Sequence, residues 1–153
     1  MKKMTTLIAI ILLAALLFTG CTLIPIKHNF SQYGFWITIA GEVTEKEGNS
    51  EGNATLYTKQ GTIILKRMGN IAAGATETAI ALMCDNKETL DNGATYYKQN
   101  TADGDIPTVT SHYFISVGGD VWYVTCVTPE KDYNRKSLVN VLMALDFVVA
   151  QED

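Results

Sequence analysis

Few side chains in this sequence are equipped for chemistry, and they are scattered. There are two histidines, His28 and His112, and three cysteines, Cys21, Cys84 and Cys126. A zinc site needs three or four convergent His, Cys or carboxylate ligands. His112 would have to recruit Asp or Glu from elsewhere, so no metal site is expected. His112 stands between Ser111 and Tyr113 in a β-rich stretch. A half-buried strand histidine is the plain expectation there, and a general base or metal ligand the sharper one. His28 lies in a polar stretch near the N-terminus and reads as solvated. Asp103-Gly104-Asp105 lacks the spacing and the distal Glu of a calcium loop. Ser111 and Ser116 have no Gly-x-Ser-x-Gly elbow, and no glycine-rich phosphate loop precedes a helix. Asp85, Glu88 and Asp91 read as a solvated edge. The residues thus point to no catalytic group and no cofactor.

Aromatic side chains offer a different kind of site. They occur as neighbours in β-rich stretches, as in Phe35-Trp36, Tyr96-Tyr97, Tyr113-Phe114 and Trp122-Tyr123. Neighbours on a strand point to opposite faces, so one of each pair can enter a core while the other meets solvent. Trp36, Tyr97 and Phe114, with His112 beside them, are the candidate exposed binding surface. The alternative is that helices cover both faces of the sheet.

The elements that must position these residues follow from periodicity. Residues 33–40 (YGFWITIA) read as the first strand. Residues 42–53 (EVTEKEGNSEGN) read as a charged, solvated loop. Strands are expected over 54–57 and 62–68, with the turn Lys59-Gln60-Gly61 between them. Residues 72–86 change character and read as a helix with Ala75, Ala79, Leu82 and Met83 on one face. Asp91-Asn92-Gly93 is a turn signal, 95–99 a short polar strand, and 100–107 a further loop. Two β-rich runs, 109–117 and 121–127, flank Gly118-Gly119 and form the clearest hairpin. Val109, Tyr113, Ile115 and Val117 share one face of its first strand, and Trp122, Val124 and Cys126 one face of its second. From Asp132 or Asn134 a last helix carries the stripe Leu138, Val141, Leu142, Leu145, closed by Phe147-Val148-Val149. This order predicts an α+β domain over 33–153, an antiparallel β-sheet flanked by two main helices.

The N-terminal 20 residues carry a different message. Lys2 and Lys3 precede an unbroken apolar run, Leu7 to Phe18, which has the form of a secretory signal. Phe18-Thr19-Gly20-Cys21 then resembles the lipobox of bacterial lipoproteins. The resemblance implies cleavage before Cys21, a diacylglyceryl thioether on its sulfur, and a tether over 21–32. The chain would be exported and lipid-anchored to the cell membrane or outer membrane, with its domain outside the cytoplasm. An uncleaved membrane helix is the alternative, since no charge occurs from Thr5 to Ile26. In such an oxidising compartment Cys84 and Cys126 form an even pair and read as one disulfide. Its loop of about 40 residues would contribute roughly 4 kcal/mol. Two separate buried thiols are the other reading.

Charge narrows the partners. The chain has 12 basic and 16 acidic residues; losing Lys2 and Lys3 leaves 10 against 16, a net charge of −6. Without basic stripes it is a poor match for nucleic acid.

Tyr33-Gly34-Phe35 followed by Ile37 and Ile39, then Gly118-Gly119 with Trp122 and Tyr123, then Leu145-Asp146-Phe147, together resemble the Mog1/PsbP-like superfamily. The Pro-x-x-Trp usual after the first strand is missing, and Asp146 stands where Ser is usual. The resemblance implies a fold and a style of work, binding and assembly, rather than a ligand. The function expected is therefore a non-enzymatic binding or accessory module for an envelope protein, held to the bilayer through Cys21. Its rivals are a small envelope enzyme or metal-binding protein using His112, and a defensive inhibitor or exclusion lipoprotein.

Overall fold

A computed structural model describes residues 24–148 except 50 and 85. Residues 1–23, which include the N-terminal apolar run and Cys21, and residues 149–153 lie outside the described residues. Among the described residues the chain is an α+β protein with antiparallel sheets and two α-helices, and strand predominates.

Strands sort into two sheets rather than the single one expected. A seven-stranded sheet has the order β3-β4-β5-β9-β8-β7-β6. It is formed by β3 (Thr44–Gly48), β4 (Asn53–Thr58), β5 (Gly61–Met68), β6 (Lys87–Thr89), β7 (Thr95–Asp103), β8 (Ile106–Val117) and β9 (Asp120–Pro129). A three-stranded sheet has the order β1-β2-β10, from β1 (Ile26–Phe30), β2 (Phe35–Ile39) and β10 (Leu145–Phe147). The expected tether is thus shorter than 21–32, because Ile26–Phe30 pairs along β2 and buries Phe30. The charged loop expected at 42–53 contains β3, which pairs with β4 through a register shift between Glu45 and Glu47. The loop expected at 100–107 shrinks to a short turn, since β7 and β8 pair out to Asp103 and Ile106.

The β8–β9 hairpin forms where expected. Gly118 and Gly119 take φ of 58° and 87°, the left-handed region that a tight two-residue hairpin turn requires and that glycine enters at little cost. Its register sets Tyr113 opposite Val124 and Ile115 opposite Trp122. Those residues face inward with Leu56, Ile63 and Leu65. The main core fills the space between this face and the small sheet, which contributes Phe35, Ile37 and Leu145. Trp122 sits at its centre, edge-on to Phe35 at 5.9 Å and stacked on Phe147 at 4.7 Å between ring centroids.

Helix α1 (Asn70–Ala81) packs on β8 and β9. Asn70 Nδ2 donates to the carbonyl of Gly119 at 3.1 Å, pinning the helix start to the hairpin turn. Helix α2 (Arg135–Met143) begins at Asn134, whose side chain accepts from the Ser137 amide, a standard N-cap. Leu138, Val141 and Leu142 are buried as the stripe predicts, joined by Val139. Leu145 instead opens β10, which pairs with β2.

Candidate functional site

On the outer face of the large sheet the expected surface residues are largely covered. Tyr97 and Phe114 lie beneath α1, in a small cluster with Ala73, Ile80 and Val121. Tyr97 and Phe114 meet edge-to-face with centroids 6.3 Å apart, and Phe114 stacks on Tyr123 at 4.6 Å. Trp36 stands apart on the three-stranded sheet. Its Nε1–H donates to Asp146 at 2.8 Å, and the Lys27 ammonium lies 4.0 Å from its ring centroid. The structure therefore brings Tyr97, Phe114 and His112 to one face, buries all three, and leaves Trp36 elsewhere. The expected exposed aromatic surface is not formed, because α1 occupies it.

His112 is 6% exposed. Its Nδ1 accepts from the Tyr123 hydroxyl at 2.8 Å and its Nε2–H donates to Gln99 Oε1 at 3.2 Å. Both nitrogens are thus engaged by neutral partners, and among the described residues no carboxylate stands against the ring to favour its charged form. Burial holds the imidazole below its ordinary value and pushes the Tyr123 hydroxyl up. A base so placed has no open position for a reacting proton. Among the described residues no group of three or more His, Cys, Asp or Glu gathers as a metal cage. His28, expected in the tether, lies in β1 and donates from Nε2 to the Gly41 carbonyl at 3.1 Å.

The expected Cys84–Cys126 disulfide is not formed. Cys126 belongs to the main core on the inner face of β9, whereas Cys84 follows α1 and packs with the cluster on the outer face. The sheet lies between them, and a disulfide needs its Cα atoms within about 7 Å. Burial pushes the Cys126 thiol up to about 11, so at neutral pH it stays a protonated apolar group.

What the sequence reading missed is the outside of α1. Ala75, Ala79, Leu82 and Met83 face away from the sheet, and the buried side is Ala73 with Ile80. Ile71 is 92% exposed and Leu82 85%. With Ala75 and Ala79 they follow the i, i+4, i+8, i+11 spacing of one helical stripe. Thr78, on the same side, turns its hydroxyl back onto the Gly74 carbonyl at 2.8 Å. A threonine bonded in this way spends its polar group on the helix and leaves its methyl outward. The only charged residue of the helix, Glu77, is drawn to the flank by the Tyr97 hydroxyl at 2.9 Å and the Lys87 ammonium at 3.0 Å. The stripe is therefore apolar and uncharged from end to end. Its signal in the sequence was a helix with apolar residues on more than one side and a single charge, Glu77.

A third polar cluster, on the inner face, is structural in character. Tyr96 shares hydrogen bonds with Ser111 at 3.0 Å and Tyr133 at 3.1 Å, and Asn92 donates to the Tyr113 hydroxyl at 2.7 Å. Burial pushes the hydroxyls of Tyr96 and Tyr113 up. They remain protonated, with Tyr113 accepting from Asn92 and Tyr96 sharing its bonds with Ser111 and Tyr133.

No protein-family model and no curated protein matches the chain.

Proposed function

We propose that this chain is a bacterial envelope lipoprotein, anchored through Cys21, whose domain works as a non-enzymatic binding or accessory module for an envelope protein. The observation that carries the binding reading is the outer stripe of α1. Ile71, Ala75, Ala79 and Leu82 expose an apolar, uncharged surface on a helix whose other side is already packed. Exposed apolar patches of this kind mark sites that another surface covers. Because the stripe has no charge to pair, its complement is an apolar groove or helix face on a protein partner, the helix-in-groove mode. The anchor part rests on the apolar run and on Phe18-Thr19-Gly20-Cys21. A Mog1/PsbP-like relationship, with a helix on each side of the main sheet, belongs to the same proposal. It rests on Tyr33-Gly34-Phe35, Gly118-Gly119 with Trp122-Tyr123, and Leu145-Asp146-Phe147.

A photo-crosslinking residue at position 82 of the full-length protein, in its native membrane, tests the partner face. One discrete envelope-protein adduct that disappears when Ile71→Lys is added supports the reading. No adduct, or adducts indifferent to Ile71→Lys, would overturn it.

A further inference from the structure

Where the chain enters the fold determines which surface a lipid anchor brings to the bilayer. The first described residues, Ile24 and Pro25, lead directly into β1, an edge strand of the small sheet. Cys21 precedes Ile26 by five residues, a span of at most roughly 17 Å when fully extended. The fold is longer than that. The 12 residues of β8 alone reach roughly 40 Å. A thioether at Cys21 therefore leaves the domain little freedom to tumble, and holds the β1 end close to the headgroups.

The side chains at that end suit a lipid surface. Ile24 is 79% exposed and Ile26 57%. Ile26 pairs with Ile39 at the end of the β1–β2 ladder, so its side chain stands at the tip of the sheet. Next to it, on the side of the small sheet turned away from the core, the Lys27 ammonium lies over the half-buried ring of Trp36. Indole rings settle at the boundary between headgroups and hydrocarbon, and a lysine stem can lie on apolar surface while its ammonium stays among phosphates.

We propose that the β1 edge of the three-stranded sheet, with Ile24, Ile26 and the Lys27–Trp36 pair, is a bilayer-contacting surface that orients the domain on the membrane. This inference rests on the lipid attachment proposed for Cys21 and adds a fixed orientation to it. The outer face of α1 lies across the large sheet from this edge. Such an orientation points the stripe away from the bilayer, toward a protein partner.

The test uses the protein purified from its native membrane and reconstituted in phosphatidylcholine vesicles, with and without brominated acyl chains. The chain has two tryptophans. Trp122 is 2% exposed at the centre of the core, so a short-range lipid quencher reports on Trp36. The intact mass of the same sample reads acylation at Cys21. An acylated protein that loses emission in brominated vesicles, and gains protection from an aqueous quencher there, supports the proposal; Trp36→Phe should abolish both effects. An acylated protein that stays bound to vesicles with Trp36 unquenched overturns the orientation and leaves the anchor standing. A full-length or unacylated mass overturns the anchor, and the proposed surface falls with it.

Discussion

Acidification provides a quantitative test of the place assigned to His112. The imidazole is buried and neutral, held by a hydroxyl donor on one side and an amide acceptor on the other. Its folded value is depressed by burial, while in the unfolded chain it titrates near 6.5. Below that pH the unfolded state takes up a proton that the native state refuses. Stability is then flat above about pH 6.5 and falls as pH drops, until the folded value is reached. The slope in that window is at most about 1.4 kcal/mol per pH unit. Between pH 7.5 and pH 5.5 this one residue therefore removes at most about 1.4 kcal/mol. Urea unfolding at half-unit pH intervals measures it through the midpoint at constant slope. The comparison is His112→Gln, which removes the titrating group. Gln keeps a donor and an acceptor but loses the ring that stacks on Tyr123 at 6.0 Å, so the variant should be less stable at pH 7.5 by about 1 kcal/mol. It should also lose most of the dependence between pH 7.5 and 5.5. If wild type and variant decline in parallel across that range, His112 is not the buried neutral group described, and the assignment fails.

Other outcomes follow from the same structure. Ile80 and Ile71 lie on one helix with opposite surroundings. Ile80→Ala should cost about 2–4 kcal/mol of unfolding free energy, and Ile71→Ala less than about 0.5; equal costs would mean that α1 packs through a different face. Gly34 takes φ of 90° with Trp122 atoms 3.3 Å from where a Cβ would lie, so Gly34→Ala should destabilise by about 1–3 kcal/mol in the same assay. The native protein should gain no mass on reduction. Alkylation at pH 8 should reach Cys84, which is half-buried, well before Cys126; a two-unit gain on reduction would reinstate the disulfide.

How far the sequence could be read depended on whether a residue's neighbours in the chain or its neighbours in space decided its place. The β8–β9 hairpin was legible because Gly118-Gly119 and two alternating runs specify turn and register together. The stripe of α2 was legible because one side of that helix is polar. Strands β1, β3 and β10 were not. IKHNF, TEKEG and LDF show no clean alternation, and their pairing comes from partners far along the chain. The orientation of α1 has a related cause. Alanines lie on both of its sides, so periodicity found an apolar stripe without showing which of two met the sheet. The mistaken exposure of Tyr97 and Phe114 is the same error seen from below. Alternation gives the two faces of a strand but does not say which face a helix will cover. Parity suggested pairing Cys84 with Cys126; only the fold shows a sheet standing between them.

The edge strand β3 has a consequence for self-association. A seven-stranded sheet ends in a row of open backbone groups, onto which an identical copy could add its own edge strand. Here the outermost strand is five residues long, carries Glu45 and Glu47, and is broken in register between them. Each feature obstructs the addition of a further strand, since like charges would align and the kinked ladder offers no straight template. The irregularity at Glu45 and Glu47 works as a terminus that obstructs the fusion of one copy's sheet with another's.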